Sequence, residues 1–221
     1  MINVNRDNIN RTSFVKSRKA RGLLTKIKKK VQTWLLREAE LLHRAGFKPN
    51  TVSITGLTFA LASAAAYATW KSFHPLTLLL AAILLLVSGF CDAIDGVIAR
   101  RYREATAFGA FLDSLLDRYS DAFIIAGIII GGLCDLFWGF VALIGCLLVS
   151  YCRARAEAAG VKMETVGVAE RAERILIISI FTLAAVCYNP QFTLNIGIIV
   201  LAVLTNFTVV QRLLYFYKAT K

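Results

Sequence analysis

Charge is scarce in this 221-residue chain, and carboxylates are scarcer still. Asp, Glu, Lys and Arg make up 18% of it, and only 14 acidic residues stand against 26 Lys and Arg. Soluble globular domains carry about a quarter charged residues, so that class is excluded. Histidine is nearly missing. His43 lies in a basic amphipathic stretch and His74 in a short connection, and neither is expected to act as a catalyst. Paired cysteine motifs are absent as well: Cys91, Cys134, Cys146, Cys152 and Cys187 have no CxxC spacing and fall mostly in apolar runs. A free thiol there behaves as a small hydrophobe, so neither a disulfide framework nor zinc is expected. The first residues are polar and basic rather than apolar, which argues against a cleavable signal peptide.

What the chain has instead is hydrophobic residues, 57% of the total, gathered in six runs at about 52–70, 75–99, 107–132, 136–152, 172–188 and 192–214. Each approaches or exceeds the roughly 20 residues that cross a bilayer core as a helix. The 136–152 run is short, but its helix can extend into the charged sequence that follows. The formal charge of +12 could suggest nucleic acid, but its distribution argues otherwise, since 13 of the 26 basic residues precede residue 49. The connections at 100–106 and 153–171 carry Arg100, Arg101, Arg103, Arg153, Arg155, Lys162 and Arg171, whereas the opposite connections near 71–75, 132–135 and 188–191 contain only Lys71. That asymmetry predicts cytoplasmic termini and attraction to an anionic leaflet.

Residues 1–21 read as a flexible basic arm. From Leu23 to Ala45, apolar residues recur at helical spacing among Lys and Arg, which predicts a basic amphipathic helix lying either on the membrane surface or on the protein's own cytoplasmic face. The expected architecture is therefore all-α and membrane-integral, with six transmembrane helices preceded by a basic amphipathic juxtamembrane helix. The arm and interfacial helix occupy residues 1–46 and the six-helix domain 47–221.

Within the second and third runs lie four carboxylates at regular spacing: Asp92 and Asp95 are i,i+3, and Asp113 and Asp117 are i,i+4, so each pair shares a helix face. An ionised carboxylate inside an apolar segment costs several kcal/mol unless compensated, and divalent cations are the usual remedy. The topology puts all four acids near the cytoplasmic interface, at the level of a lipid headgroup. Gly96 and Gly109 beside the acids suggest close packing or the approach of something bulky, and Arg100 is placed to hold a phosphate oxygen. A divalent-cation transporter would instead carry its acids near mid-membrane on interrupted helices.

The pattern Asp92-x2-Asp95-Gly96-x2-Ala99-Arg100-x8-Gly109-x3-Asp113-x3-Asp117 resembles the full signature of the CDP-alcohol phosphotransferases. The resemblance implies that Asp92, Asp95, Asp113 and Asp117 coordinate two Mg²⁺ or Mn²⁺ ions and that Asp117 also acts as general base on the acceptor hydroxyl. It further implies that Asn50, Thr51, Val52, Ser53, Gly96, Arg100, Thr106 and Gly109 contact the CDP-lipid, and that the enzyme is a homodimer.

The second half narrows the acceptor. Ser150-Tyr151-Cys152-Arg153-Ala154-Arg155-Ala156-Glu157, then Gly167-Val168-Ala169-Glu170-Arg171-Ala172-Glu173-Arg174, then Gln211-Arg212-Leu213 each sit at an expected cytoplasmic helix end. Arg171 and Arg174 share a face, whereas Arg153 and Arg155 are i,i+2 and diverge on a regular helix. Part of this charge serves as membrane anchoring and pairs with Glu157, Glu170 and Glu173. These segments are similar to those of the inositol-phosphate branch of the family, the phosphatidylinositol phosphate and archaetidylinositol phosphate synthases. That similarity implies an inositol-phosphate pocket containing Arg153, Arg155, Arg171, Arg174 and Arg212. The implied reaction joins a CDP-archaeol or CDP-diacylglycerol to inositol 1-phosphate and releases CMP; glycerol 3-phosphate is the alternative acceptor.

Overall fold

A computed structural model describes residues 33–163 and 166–221. Among the described residues there are seven α-helices, one 3₁₀ turn (Trp70–Ser72) and no strand. Helix α1 covers residues 33–44, α2 Pro49–Ala68, α3 Leu76–Arg101, α4 Ala107–Ile130, α5 Leu136–Ala158, α6 Arg171–Cys187 and α7 Pro190–Ala219. The local sequence explains the boundaries. Pro49 and Pro190 open α2 and α7 in their first turns, where a missing N–H costs nothing. Side chains of Thr106, Asp135 and Asn189 cap α4, α5 and α7 by accepting hydrogen bonds from first-turn amides.

Helices α2, α3, α5 and α7 are long and apolar enough to cross a membrane. The two remaining long segments depart from that pattern for a visible reason. Helix α4 carries Asp113, Asp117, Arg118 and Asp121 within its length, and α6 spans only 17 residues with Arg171, Glu173 and Arg174 in its first turn. The fourth apolar run does continue into charged sequence, since α5 stays helical to Ala158.

The helices form two triads. Helix α2 packs on both α3 and α4, α7 packs on both α5 and α6, and the triads join through α3–α6 and α4–α5. Close approach at the first triad depends on a small residue, because a Cβ at Gly127 of α4 would lie 2.8 Å from the Ala64 Cα of α2. Tyr67, Leu78, Leu85, Ile128, Leu194 and Ile198 fill the common core. Two of the polar groups buried there pair across helices: the Tyr67 hydroxyl meets Thr182 Oγ1 at 2.7 Å, and Ser63 donates to the Ala81 carbonyl at 2.8 Å. Outward faces remain apolar, with Ile83, Phe140, Ile144, Ile180 and Phe207 all exposed, a surface suited to lipid rather than water.

The described part of the amphipathic segment has two faces. Ala39, at 1% exposure, packs with Val52, Ile94 and Ile98, while Trp34, Leu36 and Leu41 point outward. Its end is tied to the α3–α4 connection: His43 stacks on Tyr102 with ring centroids 3.6 Å apart, and its Nε2 lies 3.0 Å from Glu104 Oε1. The basic arm at 1–21 lies outside the described residues.

Candidate active site

Because α2 packs on α3 and α4 together, the acids of α3 and α4 meet beside the first turns of α2. Asp95 and Asp113 each lie six residues from the helix end facing the α3–α4 connection, about 9 Å at 1.5 Å per residue. One carboxylate oxygen from each of Asp92, Asp95 and Asp113 falls within 4.8 Å of the other two. Asp95 is 4% exposed and is held by the Ser53 hydroxyl, which donates to its Oδ2 at 2.5 Å. Asp117 stands outside this trio. Arg171 Nη1 bridges it to the trio, contacting Asp117 Oδ1 and lying 2.5 Å from Asp92 Oδ1.

A fifth carboxylate, Asp121, continues the Asp113–Asp117 stripe by one more i,i+4 step. It is buried, with Oδ2 at 2.5 Å from Arg174 Nη2 and Oδ1 at 3.9 Å from Arg171 Nε. The sequence reading missed this residue, although the repeat of four was there to be followed. Five carboxylates against two guanidinium groups leave the cluster formally negative, and like charges so close together repel. An all-oxygen donor set of this kind fits hard divalent cations, with Asp92, Asp95 and Asp113 the three residues spaced to hold one.

Two cavities flank the carboxylates. The first, about 190 Å³, is lined by Asn50, Ser53, Asp95, Gly96, Arg100, Thr106, Gly109 and Asp113. Thus six of the eight residues expected to contact the CDP-lipid come together. Thr51 is exposed and Val52 is buried against Ile94 and Ile98, so neither lines the cavity. The glycines make room for the chain's own polar groups: a Cβ at Gly109 would sit 3.0 Å from both Asn50 Oδ1 and Thr106 Oγ1, and one at Gly96 would sit 3.1 Å from Arg100 Nη1.

The second cavity, about 430 Å³, has Asp113 and Asp117 in its wall and five arginines around it: Arg118, Arg153, Arg171, Arg174 and Arg212. Arg153 pairs with Glu157 at 2.9 Å. Arg212 is 2% exposed and donates to two main-chain carbonyls, Val166 from Nε at 2.8 Å and Val149 from Nη1 at 2.5 Å. The segment before α6 is pinned from several sides. Thr208 Oγ1 accepts from Val168 and Ala169 amides, and Arg174 Nη1 donates to the Ala169 carbonyl. Gly167, at φ +127 with its Cα facing the Thr208 methyl, occupies a conformation and a space that suit only glycine.

Four of the five arginines expected in an acceptor pocket therefore share one cavity. Arg155 does not. Helix α5 runs regularly past it, and its side chain lines a separate cavity of about 240 Å³ with Tyr151, Leu213 and Phe216, as the i,i+2 spacing dictates. Arg118 was also missed in the sequence reading.

Comparison with known proteins places this geometry. The sequence profile of the CDP-alcohol phosphatidyltransferase family matches residues 47–210. The archaetidylinositol phosphate synthase of Methanothermobacter thermautotrophicus is 46% identical over 181 residues, covering 82% of this chain and 89% of that protein. That of Pyrococcus horikoshii is 41% identical over 199 residues, covering 90% and 97%. Among solved structures, the Mycobacterium tuberculosis phosphatidylinositol phosphate synthase with CDP-DAG bound superposes with a TM-score of 0.70 at 29% identity, covering 83% of this chain and 93% of that one. The same enzyme in complex with manganese and citrate gives a TM-score of 0.70 at 28% identity, covering 83% and 88%. With its signature aspartates gathered at one end of a multi-pass helical membrane fold, the chain belongs to the CDP-alcohol phosphatidyltransferase family.

Proposed function

We propose that this enzyme transfers the lipid phosphoryl group of CDP-archaeol to inositol 1-phosphate, releasing CMP and forming archaetidylinositol phosphate. The observation that carries this reading is one row of carboxylates walling two separate cavities, Asp113 being common to both. A nucleotide diphosphate suits the smaller cavity, where Arg100, Asn50 and Thr106 supply polar contacts beside the acids. A phosphorylated alcohol suits the larger one, where arginines predominate over other donors. The names of the relatives favour inositol phosphate as the acceptor and, for the two archaeal enzymes, an archaeol lipid.

In this scheme Asp92, Asp95, Asp113 and Asp117 hold two Mg²⁺ or Mn²⁺ ions, and the manganese complex of the mycobacterial enzyme supports a divalent metal in this fold. When bound, such ions neutralise the diphosphate and stabilise charge on the departing CMP. Asp117, facing the larger cavity, accepts the proton of the attacking acceptor hydroxyl. Ser53 keeps Asp95 oriented through its short hydrogen bond. Arg171 positions Asp117 and Asp92 relative to each other through their shared contact. The oxygen of the alcohol attacks phosphorus, its bond to CMP breaks, and CMP leaves from the smaller cavity.

The remaining features follow the same reading. Helices α2–α7 constitute six membrane spans, α4 and α6 crossing with Asp121 and Arg174 turned into the protein, and both termini lie on the cytoplasmic side. The catalytic domain occupies residues 47–221, preceded by the basic segment, and the enzyme works as a homodimer. The decisive experiment incubates purified protein and Mg²⁺ or Mn²⁺ with CDP-archaeol or CDP-diacylglycerol and each of inositol 1-phosphate and glycerol 3-phosphate. CMP release with a phosphorylated inositol lipid is the expected result. Product with glycerol 3-phosphate alone refutes the acceptor assignment.

A further inference from the structure

Five guanidinium groups line the larger cavity, and four of them are engaged, by Glu157, by Asp92 with Asp117, by Asp121, and by main-chain carbonyls. Arg118 is the exception. Among the described residues no carboxylate oxygen lies within 4.0 Å of it, and its one hydrogen bond goes to the Ser114 carbonyl one turn back on α4. That bond uses one of the five N–H donors of a guanidinium. Arg118 is half-buried, follows Asp117 directly in sequence, and shares the cavity wall with Asp113 and Asp117.

Charge makes this residue consequential. The cavity is lined by five arginines and five carboxylates, so it is formally neutral as a whole. A phosphate dianion entering it passes close to Asp113 and Asp117, which repel it. Three of the engaged arginines touch carboxylates directly, and Arg212 spends two nitrogens on main-chain carbonyls with Glu170 3.8 Å away, so the guanidinium freest to turn to an incoming anion is Arg118, which feels Asp113 only through space. Arg118 is also the right shape, since its planar fork matches two phosphate oxygens at once.

Resting on the acceptor reading above, we propose that Arg118 binds the phosphate group of the phosphorylated alcohol and so selects phosphorylated over unphosphorylated acceptors. It anchors the anion beside Asp117 while leaving the free hydroxyl to face the base. Deleting its charge leaves the cavity with one formal negative charge in excess, which disfavours every anionic acceptor alike.

Full-length wild type, Arg118→Gln and Arg118→Lys are compared in detergent under steady state, with inositol 1-phosphate and glycerol 3-phosphate each offered as acceptor. Inorganic phosphate is titrated as a competitor of the acceptor. In Arg118→Gln the acceptor KM rises roughly 10- to 100-fold, the scale of one charge-assisted contact, while the CDP-lipid KM stays within about twofold. The inhibition constant for inorganic phosphate rises in step. Arg118→Lys, with a point charge but no fork, falls between the two, and it carries the test alone if the glutamine variant does not fold. An unchanged acceptor KM and phosphate inhibition constant overturn the proposal, as does an equal rise in both substrate KM values. If wild type accepts only glycerol 3-phosphate, the inositol reading fails, and the same comparison made with glycerol 3-phosphate still decides the role of Arg118.

Discussion

Replacing Arg212 with alanine removes a side chain that is 2% exposed and donates to the Val166 carbonyl at 2.8 Å and the Val149 carbonyl at 2.5 Å. Those bonds tie α7 both to the segment ahead of α6 and to the middle of α5. Two buried carbonyl oxygens lose their charged donor, and a hydrogen bond to a charged group contributes about 1.5–3 kcal/mol. Allowing for the desolvation that Arg212 itself no longer suffers, the net loss is about 2–5 kcal/mol. For a chain of this length that corresponds to a fall of roughly 5–15 °C in the unfolding midpoint. The assay is thermal unfolding of detergent-solubilised protein followed by intrinsic tryptophan fluorescence. Arg153→Ala serves as the contrast, because its pair with Glu157 is i,i+4 with both side chains 43% exposed. Such a pair contributes about 0.3–0.5 kcal/mol, so its midpoint moves by about 2 °C or less. An Arg212→Ala variant that melts with wild type and loses only acceptor affinity would refute this account and return Arg212 to a purely ligand-binding role.

Other substitutions probe the remaining parts of the site. Asp117→Asn removes the proposed base and is expected to lower kcat by roughly 10²- to 10⁴-fold in a CMP-release assay. Chelation with EDTA abolishes CMP release, and Mg²⁺ or Mn²⁺ restores it; activity that survives exhaustive chelation contradicts the carboxylate reading. Ser53→Ala leaves Asp95 without its donor and is expected to raise the metal concentration for half-maximal rate by about 3- to 10-fold, read from a metal titration. Gly127→Val forces α2 and α4 apart at Ala64, so its midpoint falls or its yield of folded protein drops, as measured by size-exclusion chromatography.

The long helices α2, α3, α5 and α7 were legible because apolar runs announce themselves by length and composition, whereas the caps at Thr106, Asp135 and Asn189 became visible only in the structure. The Asp92–Asp95 and Asp113 grouping was legible too, since i,i+3 and i,i+4 spacing fixes a face without knowledge of the partner helix. What a side chain meets on the neighbouring helix depends on rotation and depth, and one sequence does not encode those locally. Arg171 shows the difference. It was expected to face an acceptor, and it also reaches across to Asp92 and Asp117 from a different helix. Val52 illustrates the same limit. It sits between cavity-lining Asn50 and Ser53 in sequence, yet faces Ile94 and Ile98.

Asp113 belonging to the wall of both cavities has a consequence for kinetic order. Under the proposed reading each substrate has its own room, so neither has to leave before the other arrives, and both are held together across one carboxylate row. Initial-rate plots should then intersect rather than run parallel, as expected for a ternary complex. With the alcohol and the nucleotide on opposite sides of the phosphorus, a chiral phosphorothioate donor should emerge with its configuration inverted, the stereochemical mark of a single displacement.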